Sequence, residues 1–182
     1  MTLIRGYMAM SLDGYIADIN GGYGFLRRYD DVDYGFAEFF AGIGTCVFGR
    51  ATYDQSVAAR DTAWPAFAAK RVIVVSSRPL TDAPANVEHW DRGVDCTLVE
   101  HLRAATGGDV WIVGGGKPQS RLFELDAIDR MEACIVPVLL GDGIPMFPKA
   151  PPGERWMELA DVRRVPLGGV ILDYRRPAFA SR

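Results

Sequence analysis

Three short apolar runs in this sequence end in small or polar residues, and each is followed at once by a segment with helical spacing. The runs are 45–48, 72–75 and 109–113, and they lead into Gly49-Arg50, Ser76-Ser77 and Gly114-Gly115-Gly116. Short apolar strands that alternate with helices are typical of an α/β protein with a mostly parallel sheet. This pattern constrains the fold more than any other feature of the chain.

The two ends of the chain complete such a sheet. Residues 3–10 predict a buried first strand, and residues 156–165 and 170–176 predict two last strands. Pro166-Leu167-Gly168-Gly169 joins the last two, which indicates an antiparallel hairpin at the edge of the sheet. The chain has no repeat, and its Pro-rich stretch near residue 150 comes too late to separate two domains. We therefore expect a single domain over residues 1–182.

Charge and composition disfavour several classes of protein. Lys plus Arg number 20 against 23 Asp plus Glu, a net charge of −3, whereas nucleic-acid-binding proteins normally carry a basic excess. No apolar stretch is long enough to span a membrane, and the N-terminus lacks the pattern of a signal peptide. Three widely spaced cysteines without a CxxC pair indicate reduced thiols and a cytoplasmic protein. His89 and His101 lack ligand spacing, so no metal site is expected.

The ends of the three strands carry the residue types that an anionic ligand needs. Open α/β sheets bind ligands at the carboxyl ends of their parallel strands, where helix N-termini offer free N–H groups. The cations there are Arg50, Arg78 and Lys117, and the hydroxyls are Thr52, Ser76 and Ser77. Together they predict a pocket for a multiply phosphorylated ligand, although a single serine pair after a strand is more often only a turn or a helix cap.

The standard nucleotide-binding motifs are absent from the glycine-rich segment. Gly114-Gly115-Gly116-Lys117-Pro118 places proline where a P-loop needs Ser or Thr, and Trp111 stands where its first glycine belongs. The fingerprint GxGxxG would need glycine at Gln119. Neither the Walker A motif nor the Rossmann fingerprint therefore applies.

Four segments in a fixed order resemble the dihydrofolate reductase-like superfamily. They are Met10-Ser11-Leu12-Asp13-Gly14-Tyr15-Ile16-Ala17, Gly49-Arg50-Ala51-Thr52-Tyr53, Ser76-Ser77-Arg78-Pro79 and Gly114-Gly115-Gly116. Residues 136–143, with Pro145 and Phe147, are similar to the branch named for the C-terminal reductase domain of the riboflavin-biosynthesis deaminase-reductase. The resemblance covers almost the whole chain. It implies a three-layer α/β/α fold, with a mostly parallel sheet and an antiparallel C-terminal hairpin.

The same resemblance implies an NADPH cofactor and residues that would hold it. The phosphates would be bound by Gly49, Arg50 and Thr52, and the adenosine 2′-phosphate by Ser76, Ser77 and Arg78. The pyrophosphate would be covered by Gly115, Gly116, Lys117 and Gln119, and the nicotinamide flanked by Ala9 and Ile16. Val113 completes the set, at a position where riboflavin-pathway reductases usually carry glutamate. Arginine and hydroxyl donors suit a 2′-phosphate better than a carboxylate would.

Asp33 is the candidate catalytic acid. In dihydrofolate reductases an acidic residue lies on the helix before the strand that ends in Gly-Arg, and Asp33 matches it without a gap when counted back from Gly49. The phenylalanine spacing from Phe36 onward predicts a helix over 33–42. In an apolar pocket beside Phe36 and Ala37, the carboxyl could bind a pterin- or pyrimidine-like ring and assist its protonation. The competing interpretation is that Asp33 only caps the helix.

The sequence leaves three functions open. The leading hypothesis is an NADPH-dependent reductase of a small pterin- or pyrimidine-like heteroaromatic substrate. The second is the riboflavin-pathway reduction of a ribosylamino-pyrimidine, in which Arg27 and Arg28 would hold the substrate phosphate. The third is a non-catalytic nucleotide-binding interaction domain. The last hairpin carries Ile171, Leu172 and Tyr174 at an edge that must be covered, so we also expect a homodimer.

Overall fold

A computed structural model of the chain describes residues 2–59, 64–148 and 153–177. Within these ranges the strands are β1 (Ile4–Ser11), β2 (Tyr15–Ala17), β3 (Ile43–Gly49), β4 (Arg71–Val75), β5 (Val87–Trp90), β6 (Asp109–Gly114), β7 (Arg130–Val136), β8 (Ile144–Pro145), β9 (Glu158–Arg164) and β10 (Val170–Arg175). The helices are α1 (Phe36–Ala41), α2 (Arg50–Ala58), α3 (Trp64–Phe67), α4 (Cys96–Arg103) and α5 (Gly116–Glu124), with 3₁₀ turns at Gly24–Tyr29 and Pro166–Gly168. No helix in the described ranges has the length and apolar character needed to cross a bilayer.

One mixed sheet contains eight of these strands, in the order β5-β4-β3-β6-β1-β7-β10-β9. The strands from β5 to β7 run parallel to one another, with β1 at the centre between β6 and β7. β10 pairs antiparallel with both β7 and β9, so the sheet ends in the predicted C-terminal hairpin. β2 and β8 form a separate small antiparallel sheet. The extent of a single domain over residues 1–182 stays a prediction.

Helices on both faces of the sheet form the three layers. On one face, α4 and α5 bury Leu98, Leu102 and Leu122 against the central strands. On the other face, α1, α2 and α3 bury Phe39, Tyr53 and Phe67. The central parallel strands are apolar on both sides because both of their faces are covered. The α/β class and the layer order predicted from the sequence are therefore confirmed.

The cysteines of the two inner strands behave as small core residues. Cys46 on β3 and Cys134 on β7 are buried, whereas Cys96 is exposed. Burial raises the pKa of the Cys46 thiol to about 12 and that of Cys134 to about 11. Both thiols therefore stay protonated at neutral pH and pack as apolar groups.

The helix predicted over 33–42 begins later than the sequence pattern indicates. α1 starts at Phe36, directly after Gly35, whose φ of 77° lies in the left-handed region that favours glycine. Asp33 lies before this turn, and its Oδ1 accepts a hydrogen bond of 2.7 Å from the Gly35 N–H. The interpretation of Asp33 as a helix cap is therefore wrong, because the N–H that it binds precedes the helix.

Gln119 occupies a position that differs from its predicted one. The resemblance places it over a pyrophosphate, yet α5 buries its side chain completely against β1. Neither amide atom of Gln119 has a hydrogen-bond partner within the described part of the chain. The side chain therefore cannot cover a ligand in solvent, and a buried unpaired amide destabilises the fold.

We expect Gln119→Met to stabilise the protein by about 1–3 kcal/mol, because methionine fills a similar volume without an unpaired amide. The measurement is the free energy of urea unfolding, with Gln55→Met on the exposed side of α2 as the matched control. A loss of stability in Gln119→Met alone would contradict the prediction, and would indicate that an ordered water satisfies the amide.

Candidate functional site

A cleft of about 970 Å³ opens at the carboxyl ends of β3, β4 and β6. The last residues of these strands, Gly49, Val75 and Gly114, all line it. Open α/β sheets bind their ligands at this end of the strands, and the volume suits a ligand as large as a dinucleotide. The fold thus places a ligand-sized cleft where the sequence pattern predicts one.

The cleft brings together most of the residues that the resemblance assigns to a cofactor. Those that line it are Ile16, Gly49, Arg50, Thr52, Ser76, Ser77, Arg78, Val113, Gly115, Gly116 and Lys117. Ala9 and Gln119 are not among its lining residues. Ala9 packs instead against the buried cluster around Tyr29 and Cys134. Lining the same cleft does not show that a residue binds the cofactor. The contact of each of these residues with NADPH therefore stays a prediction.

Two helices begin at the wall of this cleft. α2 starts directly after Gly49, and α5 starts at Gly116, so the first turns of both helices line the cleft. The unpaired N–H groups of a helix N-terminus and its positive dipole end both favour a negatively charged ligand. Each of these helices has nine residues, long enough for an effective dipole. The arrangement favours phosphate groups at two separate points.

The charged residues on the cleft wall have one sign. Arg50, Arg78, Lys117 and Arg121 line it, and no carboxylate does so among the described residues. Arg121 is paired with Glu124 outside the cleft. The Arg78 guanidinium and the Lys117 ammonium have no hydrogen-bond or ion-pair partner in the part of the chain that the structure describes, and both side chains are exposed. In a chain of net charge −3, this segregation makes the cleft locally positive and favours a negatively charged ligand.

Arg50 holds the loop that carries Arg78. Its Nε donates to both carboxylate oxygens of Asp54 at 2.8 and 3.0 Å. Its Nη1 donates to the carbonyl of Pro79 at 2.9 Å and to that of Arg78 at 3.4 Å. Arg50 thus ties the first turn of α2 to the loop after β4, and much of its donor capacity is already used. Direct phosphate binding by Arg50 stays a prediction, beside this observed positioning role.

Ser76 shapes the same loop from within. Its buried hydroxyl donates to the Arg78 carbonyl at 2.8 Å and accepts from the Arg78 N–H at 3.0 Å. These two hydrogen bonds hold the backbone in a tight turn after β4, while Ser77 and Arg78 remain exposed. The two predicted hydroxyls therefore have different surroundings. The Ser76 hydroxyl forms the turn, whereas the Ser77 side chain is exposed at the cleft.

Gly116 permits the close contact between α5 and the loop that follows β8. A Cβ on Gly116 would lie 2.8 Å from the Pro145 carbonyl oxygen and 2.9 Å from that of Met146. No side chain fits at such distances, so glycine is required at the first residue of α5. At Gly115 a Cβ would meet only Thr52 Oγ1, at 3.4 Å, so a side chain there would occupy the cleft.

The Ser-Leu-Asp-Gly segment fixes another wall of the cleft. Asp13 accepts hydrogen bonds from the Ser11 hydroxyl at 2.6 Å and from the Gly141 N–H at 2.8 Å. These bonds lower the pKa of Asp13, with the Ser11 hydroxyl making the largest contribution. They tie the turn after β1 to the loop before β8. The small β2–β8 sheet is thereby held in place, and it presents Ile16 and Ile144 to the cleft.

The predicted substrate residues lie outside this cleft. Asp33, Phe36 and Ala37 are exposed and are absent from its described lining. The prediction that the protein itself encloses Asp33 in an apolar pocket is therefore wrong. Phe36 is 39% exposed, and its ring lies 5.7 Å from that of Tyr7 on β1. These rings form an apolar surface, and the Asp33 carboxylate is close enough to it to contribute to raising the pKa of the Tyr7 phenol.

Sequence patterns missed several residues of the two surfaces. Arg121 and Gln55 line the cleft one helical turn beyond Lys117 and Ala51, so helical spacing could have identified them. Tyr7, on the substrate side, donates its hydroxyl to the Tyr34 carbonyl at 3.0 Å. Burial raises its pKa, so the phenol is neutral at every physiological pH. No sequence signal distinguishes Tyr7 from other strand aromatics.

A three-layer chain with a ligand cleft at the ends of these parallel strands and an antiparallel C-terminal hairpin has the dihydrofolate reductase-like fold. Within that fold, the chain belongs to the RibD C-terminal domain family, whose model matches residues 3–171. The family is one of reductases. The resemblance found in the sequence is therefore confirmed.

Comparisons with individual proteins agree with this assignment. The chain is 30% identical over 142 residues to the uncharacterized protein YwjB of Bacillus subtilis, covering 78% of this chain and 80% of that protein. Its structure is similar to that of a Shewanella sp. PV-4 protein provisionally assigned to riboflavin biosynthesis, with a TM-score of 0.80, 26% identity, and coverage of 97% and 99%. A Thermotoga maritima deaminase/reductase shares the fold at a TM-score of 0.73 and 18% identity, covering 97% of this chain and 57% of that one.

Proposed function

We propose that this protein is an NADPH-dependent reductase that transfers hydride to a small pterin- or pyrimidine-like ring. The observation that carries the proposal is the cleft at the ends of β3, β4 and β6, which is lined by four cations, two helix N-termini and no described carboxylate. Membership of a reductase family supports the reaction class. The cofactor supplies the hydride, while the protein binds and orients the two reactants.

The donor set of the cleft fits the phosphates of NADPH. The first turn of α5 and the Lys117 ammonium would hold the pyrophosphate, because backbone N–H groups and a mobile cation suit such an anion. Thr52 in the first turn of α2 adds a hydroxyl. The absence of a side chain at Gly115 leaves room for the ligand to approach the backbone.

The loop after β4 would provide the preference for a 2′-phosphate. A dinucleotide without that group is usually held by a carboxylate on its ribose hydroxyls, and no described residue on the cleft wall supplies one. Arg78 and Ser77 instead offer a charged donor and a hydroxyl, both exposed to the cleft. Arg50 and Ser76 would hold this loop in the conformation that binds the phosphate.

The substrate would bind on the surface formed by Tyr7, Phe36 and Ala37, with Asp33 at its edge. A planar ring placed on Phe36 would cover the Asp33 carboxyl and remove it from water. A carboxyl covered in this way can act as the general acid that delivers a proton to the ring. The ring would thus complete the pocket that the protein leaves open.

A second candidate is the riboflavin-pathway reduction of a ribosylamino-pyrimidine. The Shewanella protein, provisionally assigned to riboflavin biosynthesis, favours it, as does the Thermotoga protein, described as a 5-amino-6-(5-phosphoribosylamino)uracil reductase. Arg27 and Arg28, exposed in the 3₁₀ turn Gly24–Tyr29, would then bind the substrate phosphate. A non-catalytic nucleotide-binding domain is the third candidate, and it predicts cofactor binding without turnover.

The test measures binding first and turnover second. We expect calorimetry to give a Kd for NADPH that is roughly ten- to hundredfold below that for NADH, as one charge-assisted phosphate contact would provide. Loss of reduced-nicotinamide absorbance with a panel of pterins and pyrimidines, including the ribosylamino-pyrimidine phosphate, then identifies the substrate. Equal affinities for the two cofactors would contradict the NADPH assignment, and tight binding without turnover on any substrate would favour the non-catalytic domain.

A further inference from the structure

A histidine on β5 contacts the loop that carries Arg78. His89 lies opposite Val74 in the parallel β4–β5 pair, near the carboxyl ends of both strands. Its Nε2 lies 2.7 Å from the carbonyl oxygen of Ser76. A carbonyl can only accept a hydrogen bond, so Nε2 of His89 carries a proton and donates it. His89 is not among the described residues that line the cleft, so any effect that it has on a ligand there must pass through the loop.

This hydrogen bond extends the pairing of β4 with β5 by one residue beyond the end of β4. The N–H of Ser76 donates to the Trp90 carbonyl at 3.0 Å, on the β5 side. The Ser76 carbonyl faces the same side, because the donor that it binds, His89, belongs to β5. Both backbone groups of Ser76 are therefore held by the neighbouring strand, while its hydroxyl binds the backbone of Arg78.

The direction of the Ser76 carbonyl determines that of the next N–H. The peptide bond between Ser76 and Ser77 is trans, and in a trans peptide the C=O and the N–H point in opposite directions. Because the carbonyl is turned toward β5, the Ser77 N–H is turned toward β3, the other neighbour of β4. The carboxyl ends of β3 and β4 line the cleft. The Ser77 N–H therefore lies on the cleft side of the loop, and it has no hydrogen-bond partner within the described part of the chain.

Three donors after β4 are thus open to one ligand. They are the Ser77 N–H, the Ser77 hydroxyl and the Arg78 guanidinium, and both residues line the cleft. A backbone N–H, a hydroxyl and a guanidinium together suit a phosphate monoester, which offers three acceptor oxygens. The two side chains can rotate toward a ligand, whereas the direction of the N–H depends on the bonds that hold its peptide.

We propose that His89 is a positioning residue for cofactor selection. By holding the Ser76 carbonyl on the β5 side, it keeps the Ser77 N–H directed into the cleft. There this N–H binds the 2′-phosphate of NADPH, together with the Ser77 hydroxyl and Arg78. The inference rests on the proposed function, because it concerns one donor of the same cofactor site. NADH lacks the 2′-phosphate, so its binding does not depend on His89.

His89→Leu tests the inference, and His89→Gln is the variant expected to restore the wild-type behaviour. We expect His89→Leu to raise the Kd for NADPH about three- to tenfold, the usual net contribution of one hydrogen bond, and to leave the Kd for NADH unchanged. Glutamine can donate an amide N–H to the Ser76 carbonyl, so His89→Gln should bind NADPH nearly as tightly as the wild type does. Since His89 is exposed, both variants should keep the wild-type melting temperature.

The Ser77 amide proton reports the proposed contact directly. Adenosine 2′,5′-bisphosphate carries the same phosphate without the nicotinamide, and 5′-AMP lacks the 2′-phosphate. In NMR spectra of the wild type, the bisphosphate should shift the Ser77 amide proton downfield, as a hydrogen bond to phosphate does, whereas 5′-AMP should not. The shift should be smaller in His89→Leu. A Ser77 amide that responds equally to both nucleotides in the wild type would overturn the inference.

The wild type and the variants distinguish two kinds of failure. Equal wild-type affinities for NADPH and NADH would overturn the proposed cofactor, and the role of His89 with it. A wild-type preference for NADPH that persists unchanged in His89→Leu would refute the role of His89 alone, and so would an equal loss of affinity for both cofactors. His101→Leu is the matched control at the other histidine, whose ring contacts Glu88 and Arg71, and it should keep the preference. An equal loss of preference in this control would also count against a specific role for His89.

Discussion

Arg78→Ala is expected to raise the Kd for NADPH roughly ten- to hundredfold and to leave the Kd for NADH unchanged. The guanidinium is exposed on the cleft wall and has no partner among the described residues, so it is available to a phosphate. A charge-assisted hydrogen bond contributes about 1.5–3 kcal/mol, and about 1.4 kcal/mol corresponds to a tenfold change in Kd. Alanine keeps the backbone N–H and carbonyl that Ser76 binds, so the turn itself should persist.

Arg28→Ala is the matched control for the Arg78 variant. It removes the same charge from an exposed position outside the cleft lining, so the affinities for both cofactors should stay near those of the wild type. An equal loss of NADPH and NADH affinity in Arg78→Ala would assign Arg78 to the pyrophosphate instead of the 2′-phosphate. No change with either cofactor would remove the loop after β4 from the binding site.

The strand-and-helix pattern of the sequence predicted the sheet because its signals are local. The segments that form β3, β4 and β6 are apolar on both faces of the sheet, and small residues follow each of them. The end of each strand can therefore be predicted from its own sequence. Once parallel strands are placed side by side, their carboxyl ends share one edge of the sheet. The grouping of Gly49, Arg78 and Gly116 in one cleft could therefore be predicted once each strand had been identified separately.

The features that the sequence pattern could not predict are those that depend on tertiary contacts. Arg50 and Ser76 look like ligand donors in the sequence, but their partners, the carbonyls of Pro79 and Arg78, become acceptors only after the loop after β4 folds back. In the sequence, Gln119 looks like an exposed polar residue in the first turn of a helix. In the structure α5 packs against β1 with Gln119 on its buried side. Residue type and spacing do not determine either outcome.

Asp33 shows a further limit of the sequence pattern. Matching positions along the chain placed it on a helix and in an apolar pocket, whereas the left-handed Gly35 starts the helix later and leaves the carboxyl in solvent. The Asp33 carboxylate is nonetheless close enough to the apolar surface of Tyr7 and Phe36 to contribute to raising the pKa of the Tyr7 phenol. Whether the Asp33 carboxyl is exposed to water therefore depends on whether a substrate ring covers that surface. Substitution of Asp33 tests this dependence directly.

Asp33→Asn is expected to lower kcat by roughly 10²–10⁴, the usual contribution of a general acid. Hydride transfer to a C=N bond leaves charge on nitrogen that a proton must neutralise, and asparagine cannot supply one. Its side-chain oxygen can still accept the Gly35 N–H bond, so the melting temperature and the Kd for NADPH should stay near wild-type values. Asp31→Asn, the same change at a nearby exposed carboxyl, should keep full turnover on the same substrate. Undiminished turnover in Asp33→Asn would reject the catalytic role, and the proton would then have to come from water.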